Sequence, residues 1–126
     1  MPVVKITTNF KFKEPSTFID AFHQLMQQIF KIKTYDRLII LDEKPNQFYQ
    51  PLDTQGNYVL VEIELFNGRT LDTKRKLYQS LVEMMLQFDV PKENVRIALI
   101  EIPKENWGVR GGQAACDVDL GYKIDI

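Results

Sequence analysis

Pro2 is the residue whose chemistry depends most on where it sits in the chain. A small residue after the initiator methionine permits removal of Met1, which leaves the proline with a free secondary amine. An α-amino group titrates near ~7.7–8.0, closer to neutrality than any lysine side chain. Burial in an apolar pocket and nearby cations both disfavour its protonated form. A base that titrates near the working pH is what proton abstraction beside a carbonyl requires. Proline after methionine is common, however, so the reading depends on what the fold places around it.

Two short segments offer that company: Tyr35-Asp36-Arg37 and Phe66-Asn67-Gly68-Arg69-Thr70. Arg69 can present a planar fork of donors to a substrate carboxylate or stabilise an enolate oxygen as it develops. Asp36 can accept a proton or orient a water. The plainer reading is that Asp36 and Arg37 are surface charges and that Arg69 pairs with Asp72. Near the C-terminus, Trp107-Gly108-Val109-Arg110-Gly111-Gly112 joins a large aromatic to a basic, glycine-rich backbone. It can fold over a pocket and line it, or it can be a structural plug with glycines serving tight turns. It lacks the ending and setting of a phosphate-binding P-loop. Phe48 and Tyr49 are further candidates for an apolar wall. Cys116 and His23 read as bystanders, because His23 lies off the main apolar stripe of its helix and no nucleophile motif surrounds either.

Composition narrows the chemistry. Of 126 residues, 44% are apolar and 26% charged, as in an ordinary soluble globular protein. Sixteen basic residues face 17 acidic ones for a net charge of −1, and they are interspersed, so no nucleic-acid footprint is expected. Charges interrupt every apolar stretch, which argues against a membrane span, and Lys5, Lys11 and Lys13 break any secretory signal. One cysteine excludes an internal disulfide, and one cysteine with one histidine gives no usual zinc cluster. The expectation is a cytoplasmic protein using metal-free chemistry and no cofactor.

The elements that would position these residues repeat. Val3 to Thr8 is β-branched and reads as a strand. Pro15 and Ser16 open a helix whose stripe is Phe18, Phe22, Leu25, Met26, Ile29 and Phe30. Residues 37–41 read as a second strand, and a Pro-, Asn- and Gly-containing loop follows. Residues 58–66 form a third strand, with Val59, Val61, Ile63 and Leu65 on one face. Thr70 can cap a second helix, with Asp72 in its first turn and Leu77, Leu81, Met84, Met85 and Phe88 as its stripe. Residues 95–102 are the fourth strand, and 122–126 alternate as a short edge strand would.

Strand–helix–strand units imply parallel pairing by right-handed crossovers. The fold class is α+β, an α/β sandwich: a single domain over 1–126, with pseudo-repeats at 2–42 and 58–102 and a tail at 103–126. They form one four-stranded mixed sheet with two helices on one face. Tyr58, Leu60, Arg96, Ala98 and Ile100 are expected on the other face, whose apolar character suggests cover by other subunits.

Together, a Met-Pro start on a strand, two βαβ units, Asp36-Arg37, Gly68-Arg69-Thr70 and Asn106-Trp107-Gly108 resemble the tautomerase superfamily. The pattern runs from Pro2 to about Gly112 and is most similar to the longer members related to malonate semialdehyde decarboxylase. The resemblance implies a homotrimer of βαβ-βαβ subunits, with an active site around each N-terminal proline near subunit boundaries. It makes Pro2 the catalytic proline and Asp36 the catalytic aspartate. Arg69 becomes the second of two arginines that hold a substrate carboxylate. Asn67 stands where the first arginine would be, which shifts weight from decarboxylation or hydration toward simple keto–enol tautomerisation, and Arg110 is a candidate to supply the missing charge. The expected site is thus Pro2, Asp36 and Arg69 as catalytic residues and Asn67, Trp107, Arg110 and Tyr49 as substrate-binding residues. A small carboxylate-bearing substrate such as phenylpyruvate is expected. A hydratase or decarboxylase of a 3-carbon acid, with Asp36 activating water, and a catalytically silent trimeric relative are the alternatives.

Overall fold

The structure, a computed structural model, describes residues 2–121 and 123–126. Strands β1 (Val3–Thr8), β2 (Ile39–Glu43), β3 (Val59–Phe66) and β4 (Val95–Ile102) form one sheet in the order β2-β1-β3-β4. β1 pairs parallel with β2, and β3 parallel with β4. The two units meet at an antiparallel seam in which Val3 faces Glu64 and Thr8 faces Val59. Helices α1 (Pro15–Phe30) and α2 (Leu71–Leu86) supply the crossovers and cover one face together, as expected.

Strand alternation decides what lies beneath them. Val4 and Ile6 of β1 and Val59, Val61, Ile63 and Leu65 of β3 are buried against Phe18, Phe22, Met26 and Phe30 of α1 and Leu77, Leu81 and Met85 of α2. Each fully buried side chain of this size contributes roughly 1.5–3 kcal/mol, so the helix face carries most of the apolar stabilisation. Pro15 occupies the first turn of α1, where its missing N–H costs nothing. Lys31 ends that helix in the left-handed conformation (φ 57°), its N–H donating to the Gln27 carbonyl at 3.0 Å. Thr70 caps α2 by accepting from the Thr73 amide at 3.2 Å.

Several expectations change. β2 begins at Ile39 rather than at residue 37, because the Arg37 amide is spent on the Tyr35 carbonyl in a tight turn. Only from Leu38, whose carbonyl accepts from the Val4 amide, does the chain join the sheet. The tail is no edge strand over 123–126, and Tyr122 lies outside the described residues. Instead Ile126 accepts hydrogen bonds from the hydroxyls of Thr70 and Thr73, and Ile124 packs over Gly68. Residues after β4 form a small hairpin, β5 (Gly108–Val109) with β6 (Gln113–Ala114), which the sequence reading did not contain.

The other face of the sheet has its main cover at one end. There Phe66, Ala115 and Leu120 are buried together, with Trp107, Val109, Val118 and Ile124 packed around them. Trp107 meets Phe66 edge-on at 5.2 Å and donates its indole N–H to the Ile102 carbonyl at 3.1 Å. Arg96, Ala98 and Ile100 are exposed as expected. Tyr58 is buried instead, because Phe48 from the β2–β3 loop leans on it at 5.6 Å.

Gly68 has φ +132°, and an added Cβ would sit 3.4 Å from Ile124. Gly68→Ala is therefore expected to lower unfolding stability by about 1–3 kcal/mol, read from urea denaturation. Trp107→Ala removes the half-buried partner of Phe66 and its indole bond. The expected loss is about 2 kcal/mol, below the range for a fully buried tryptophan, and is measurable in the same way.

Candidate active site

Topology alone gathers most of the candidate residues. β1 and β2 run parallel and β3 runs against them, so the starts of β1 and β2 share one end of the sheet with the finish of β3 and, through parallel pairing, of β4. Pro2, the 36–38 turn, the 67–70 loop and the segment after Ile102 all belong to that end. Pro2 itself is buried. Its cleft is lined by Val4, His23, Met26, Ile32, Asp36, Arg37, Leu38 and Ile39, a mostly apolar wall with one carboxylate, one guanidinium and one imidazole. Met1, whose removal the chemistry requires, lies outside the described residues.

Arg69 belongs to the same end but is held inside the protein. It is 5% exposed, its guanidinium lies 4.7 Å from the centre of the Phe30 ring, and Nη1 donates to the Phe66 carbonyl at 3.3 Å. A guanidinium keeps its charge even when buried, and the ring face compensates part of the lost hydration. The expected alternative pairing with Asp72 does not form, since that carboxylate bonds Arg75 at 2.8 Å. Arg69 thus sets a fixed positive charge at the last residue of α1.

The substrate-binding candidates divide. Asn67 is exposed in the loop beside Gly68. Trp107 is not in the Pro2 cleft, because its packing on Phe66 holds it on the opposite face of the sheet. Arg110 sits at the exposed tip of the β5–β6 hairpin with φ 48°, away from the cleft-lining residues. Tyr49 is 94% exposed in the loop that joins the end of β2 to the start of β3, which is the opposite end of the sheet from Pro2. There it borders a cavity of about 370 Å³ with Phe48, Leu52, Leu60 and Arg96. Within one chain, Trp107, Arg110 and Tyr49 do not converge on Pro2. A further cavity, about 400 Å³, lies between Phe10, Phe12, Asn57 and Phe88, also at the end away from Pro2, and carries none of the candidate chemistry.

Two cleft residues were undervalued by sequence reasoning. Arg37 lines the cleft while pairing with Asp20 at 3.2 Å, its side chain half exposed. His23 is 8% exposed and donates from Nε2 to the Thr34 carbonyl at 2.7 Å, so it anchors the loop before β2. The signal for Arg37 was present, as it follows Asp36 directly. Among the described residues no group of three His, Cys, Asp or Glu is placed to hold a metal ion, and no helix is long and apolar enough to cross a membrane.

Comparison with known proteins bears on the family and the fold. A probable tautomerase of Ralstonia nicotianae is 36% identical over 53 residues, covering 41% of this chain and 76% of that protein. The 2-hydroxymuconate tautomerase of Pseudomonas putida is 33% identical over 54 residues, covering 42% of this chain and 86% of that protein. Among solved structures, a fused symmetric trimer of wild-type 4-OT superposes with a TM-score of 0.83 at 18% identity, covering 92% of this chain and 99% of that one. FG41 malonate semialdehyde decarboxylase inhibited by 3-bromopropiolate superposes with a TM-score of 0.75 at 22% identity, covering 89% and 92%. The profile of the family described as tautomerase enzyme matches residues 36–110, more than half of the chain. The chain belongs to the tautomerase family and is an enzyme of the isomerase type.

Proposed function

We propose that the protein interconverts keto and enol forms of a small 2-keto acid such as phenylpyruvate, with the Pro2 amine, freed by loss of Met1, as general base. The observation that supports this most is the burial of Pro2 in one cleft with Asp36 and Arg37. The amine takes the enol hydroxyl proton, and the electron pair moves through the C=C bond to the neighbouring carbon. The same proton is returned to that carbon, so no atom is gained or lost and no cofactor is consumed. Arg37 offers the substrate carboxylate an exposed guanidinium, and Arg69 adds a buried positive charge that favours the enolate oxygen. Both charges also disfavour a protonated amine, opposing Asp36 in the same cleft, which favours it. Asn67, where the first of the paired arginines would stand, suits a reaction that only moves a proton.

The proposed assembly is a homotrimer. Leu38 (53%) and Ile40 (50%) expose large side chains on the sheet face that the helices leave open, and the superposition on a symmetric trimer supports this reading. In that assembly Asn67, Trp107, Arg110 and Tyr49 can still serve a site, because a neighbouring chain can carry a residue from the far end of one sheet toward the cleft of another. The substrate needs no nucleic acid or membrane, and we place the protein in the cytoplasm on its single free cysteine, Cys116. The second reading is hydration or decarboxylation of a 3-carbon acid with Asp36 activating water, favoured by the position of Asp36 beside Pro2.

Pro2→Ala is expected to slow phenylpyruvate enol decay, followed by ultraviolet absorbance, by at least ~10²-fold; an unchanged rate would defeat the mechanism. Asp36, in the same cleft as Pro2, positions the enol for this transfer, so Asp36→Asn is expected to lower tautomerisation by roughly 10- to 100-fold and turnover of a 3-carbon acid by more. A larger loss with phenylpyruvate than with the 3-carbon acid would count against Asp36 as the water-activating residue of the second reading.

A further inference from the structure

Asp36 reaches the Pro2 cleft from the short loop between α1 and β2, and one face of α1 grips that loop at three points. Asp20, His23 and Gln27 are spaced three and four residues apart, so they share a stripe of the helix. Asp20 accepts from Arg37 Nη1 at 3.2 Å. His23 donates from Nε2 to the Thr34 carbonyl at 2.7 Å. Gln27 donates from Nε2 to the Thr34 hydroxyl at 2.8 Å. The three are not equal. The Asp20–Arg37 pair is well exposed, so solvent screens it, and the Gln27 bond is also exposed. The His23 bond is short and its ring is buried, so water cannot replace it at no cost.

The loop transmits this anchor over a short path. The Asp36 amide donates to the Lys33 carbonyl and the Arg37 amide to the Tyr35 carbonyl, both at 3.0 Å. Fixing Thr34 therefore fixes a turn whose next two residues are Tyr35 and Asp36. On the far side, Leu38 is tied to β1 through the Val4 amide, two residues from Pro2. The imidazole also lines the Pro2 cleft itself, so its loss would loosen the wall as well as the loop.

We infer that His23 is a positioning residue for this enzyme: its Nε2–H bond to the Thr34 carbonyl holds the Asp36 turn at the working distance from Pro2. The inference rests on the proposed Pro2 chemistry for its kinetic readout. It does not require His23 to exchange a proton with substrate. Displacement of a catalytic group by about 1 Å can cost on the order of 10²-fold in rate, which sets the scale of the expected effect.

His23 is the one histidine in the sequence, so its imidazole ¹⁵N resonances are unambiguous. In the purified enzyme Nε2 is expected to carry a slowly exchanging proton, and His23→Asn, polar but too short to reach Thr34, is expected to move the Asp36 and Arg37 amide resonances. In the enol-decay assay His23→Asn and His23→Leu should each lower kcat by roughly 10- to 100-fold, with KM changed far less. His23→Gln, which can place an amide N–H near the Nε2 position, should recover most of the loss. The double variant His23→Asn/Asp36→Asn should be no slower than Asp36→Asn alone.

Full activity in His23→Asn, a rapidly exchanging imidazole proton, or additive losses in the double variant would overturn the inference. Should His23→Leu fail to fold, the Asn and Gln variants carry the test. Pro2→Ala separates the two proposals. If it is inactive while His23→Asn runs at full speed, only the positioning role fails. If Pro2→Ala runs at full speed while the amide shifts and the His23–Asp36 coupling remain, only the base assignment fails.

Discussion

The antiparallel seam between β1 and β3 is the constraint on which the rest of the molecule depends. Each βαβ unit alone is a parallel pair with a helix on one face, too small to close a core. Joining them through β1 and β3 puts Val4 and Ile6 beside Val61 and Ile63 in register and makes one continuous floor for both helices. It also makes β1 a central strand, paired on both edges. A proline is tolerated at the opening of such a strand, before the ladder needs its N–H. The seam thus fixes Pro2 and Val3 more firmly than residues near a terminus usually are.

The same seam chooses which loops meet. Because β3 runs against β1, the exit of the second unit is delivered to the entrance of the first, and Arg69 comes to lie against Phe30. The loop from β2 to β3 is delivered with equal certainty to the other end, along with Tyr49. The two faces then take different roles. The helix face is dry and holds Pro2, whereas the open face carries the Lys5–Glu64 pair at 3.5 Å between exposed apolar side chains. An exposed pair of this kind adds little to stability.

Most of the fold was legible because burial here follows simple periods. The limits of β4 were read to the residue and those of β3 to within one, since alternating side chains leave no doubt where one face is buried. β2 slipped by two residues because Arg37-Leu38 has strand-like residue types but a backbone committed to a turn. The hairpin after β4 was missed because two-residue strands around Arg110-Gly111-Gly112 have no period to detect. Within one chain, strand directions alone separate Tyr49 from Pro2, as the β2–β3 loop must lie opposite the start of β1. His23 is a different case. Its burial comes from a carbonyl in the next loop that requires a donor, and hydrophobic periodicity is blind to such a need.

The electrostatic arrangement at the Pro2 end follows from where the chain places its two arginines. Arg69 is locked by a ring face and a carbonyl near the C-terminal end of α1, where the helix presents the negative end of its dipole. The ring face and the carbonyl hold the guanidinium in one place inside the protein. Arg37 instead stands half exposed with a solvated partner, Asp20, which it can exchange for an incoming anion at small cost because exposed pairs are weak. One charge is fixed and one is available. With Asp36 between Arg37 and the turn that His23 holds, this end of the sheet presents a mostly apolar cleft in which one carboxylate and one guanidinium share the wall with Pro2.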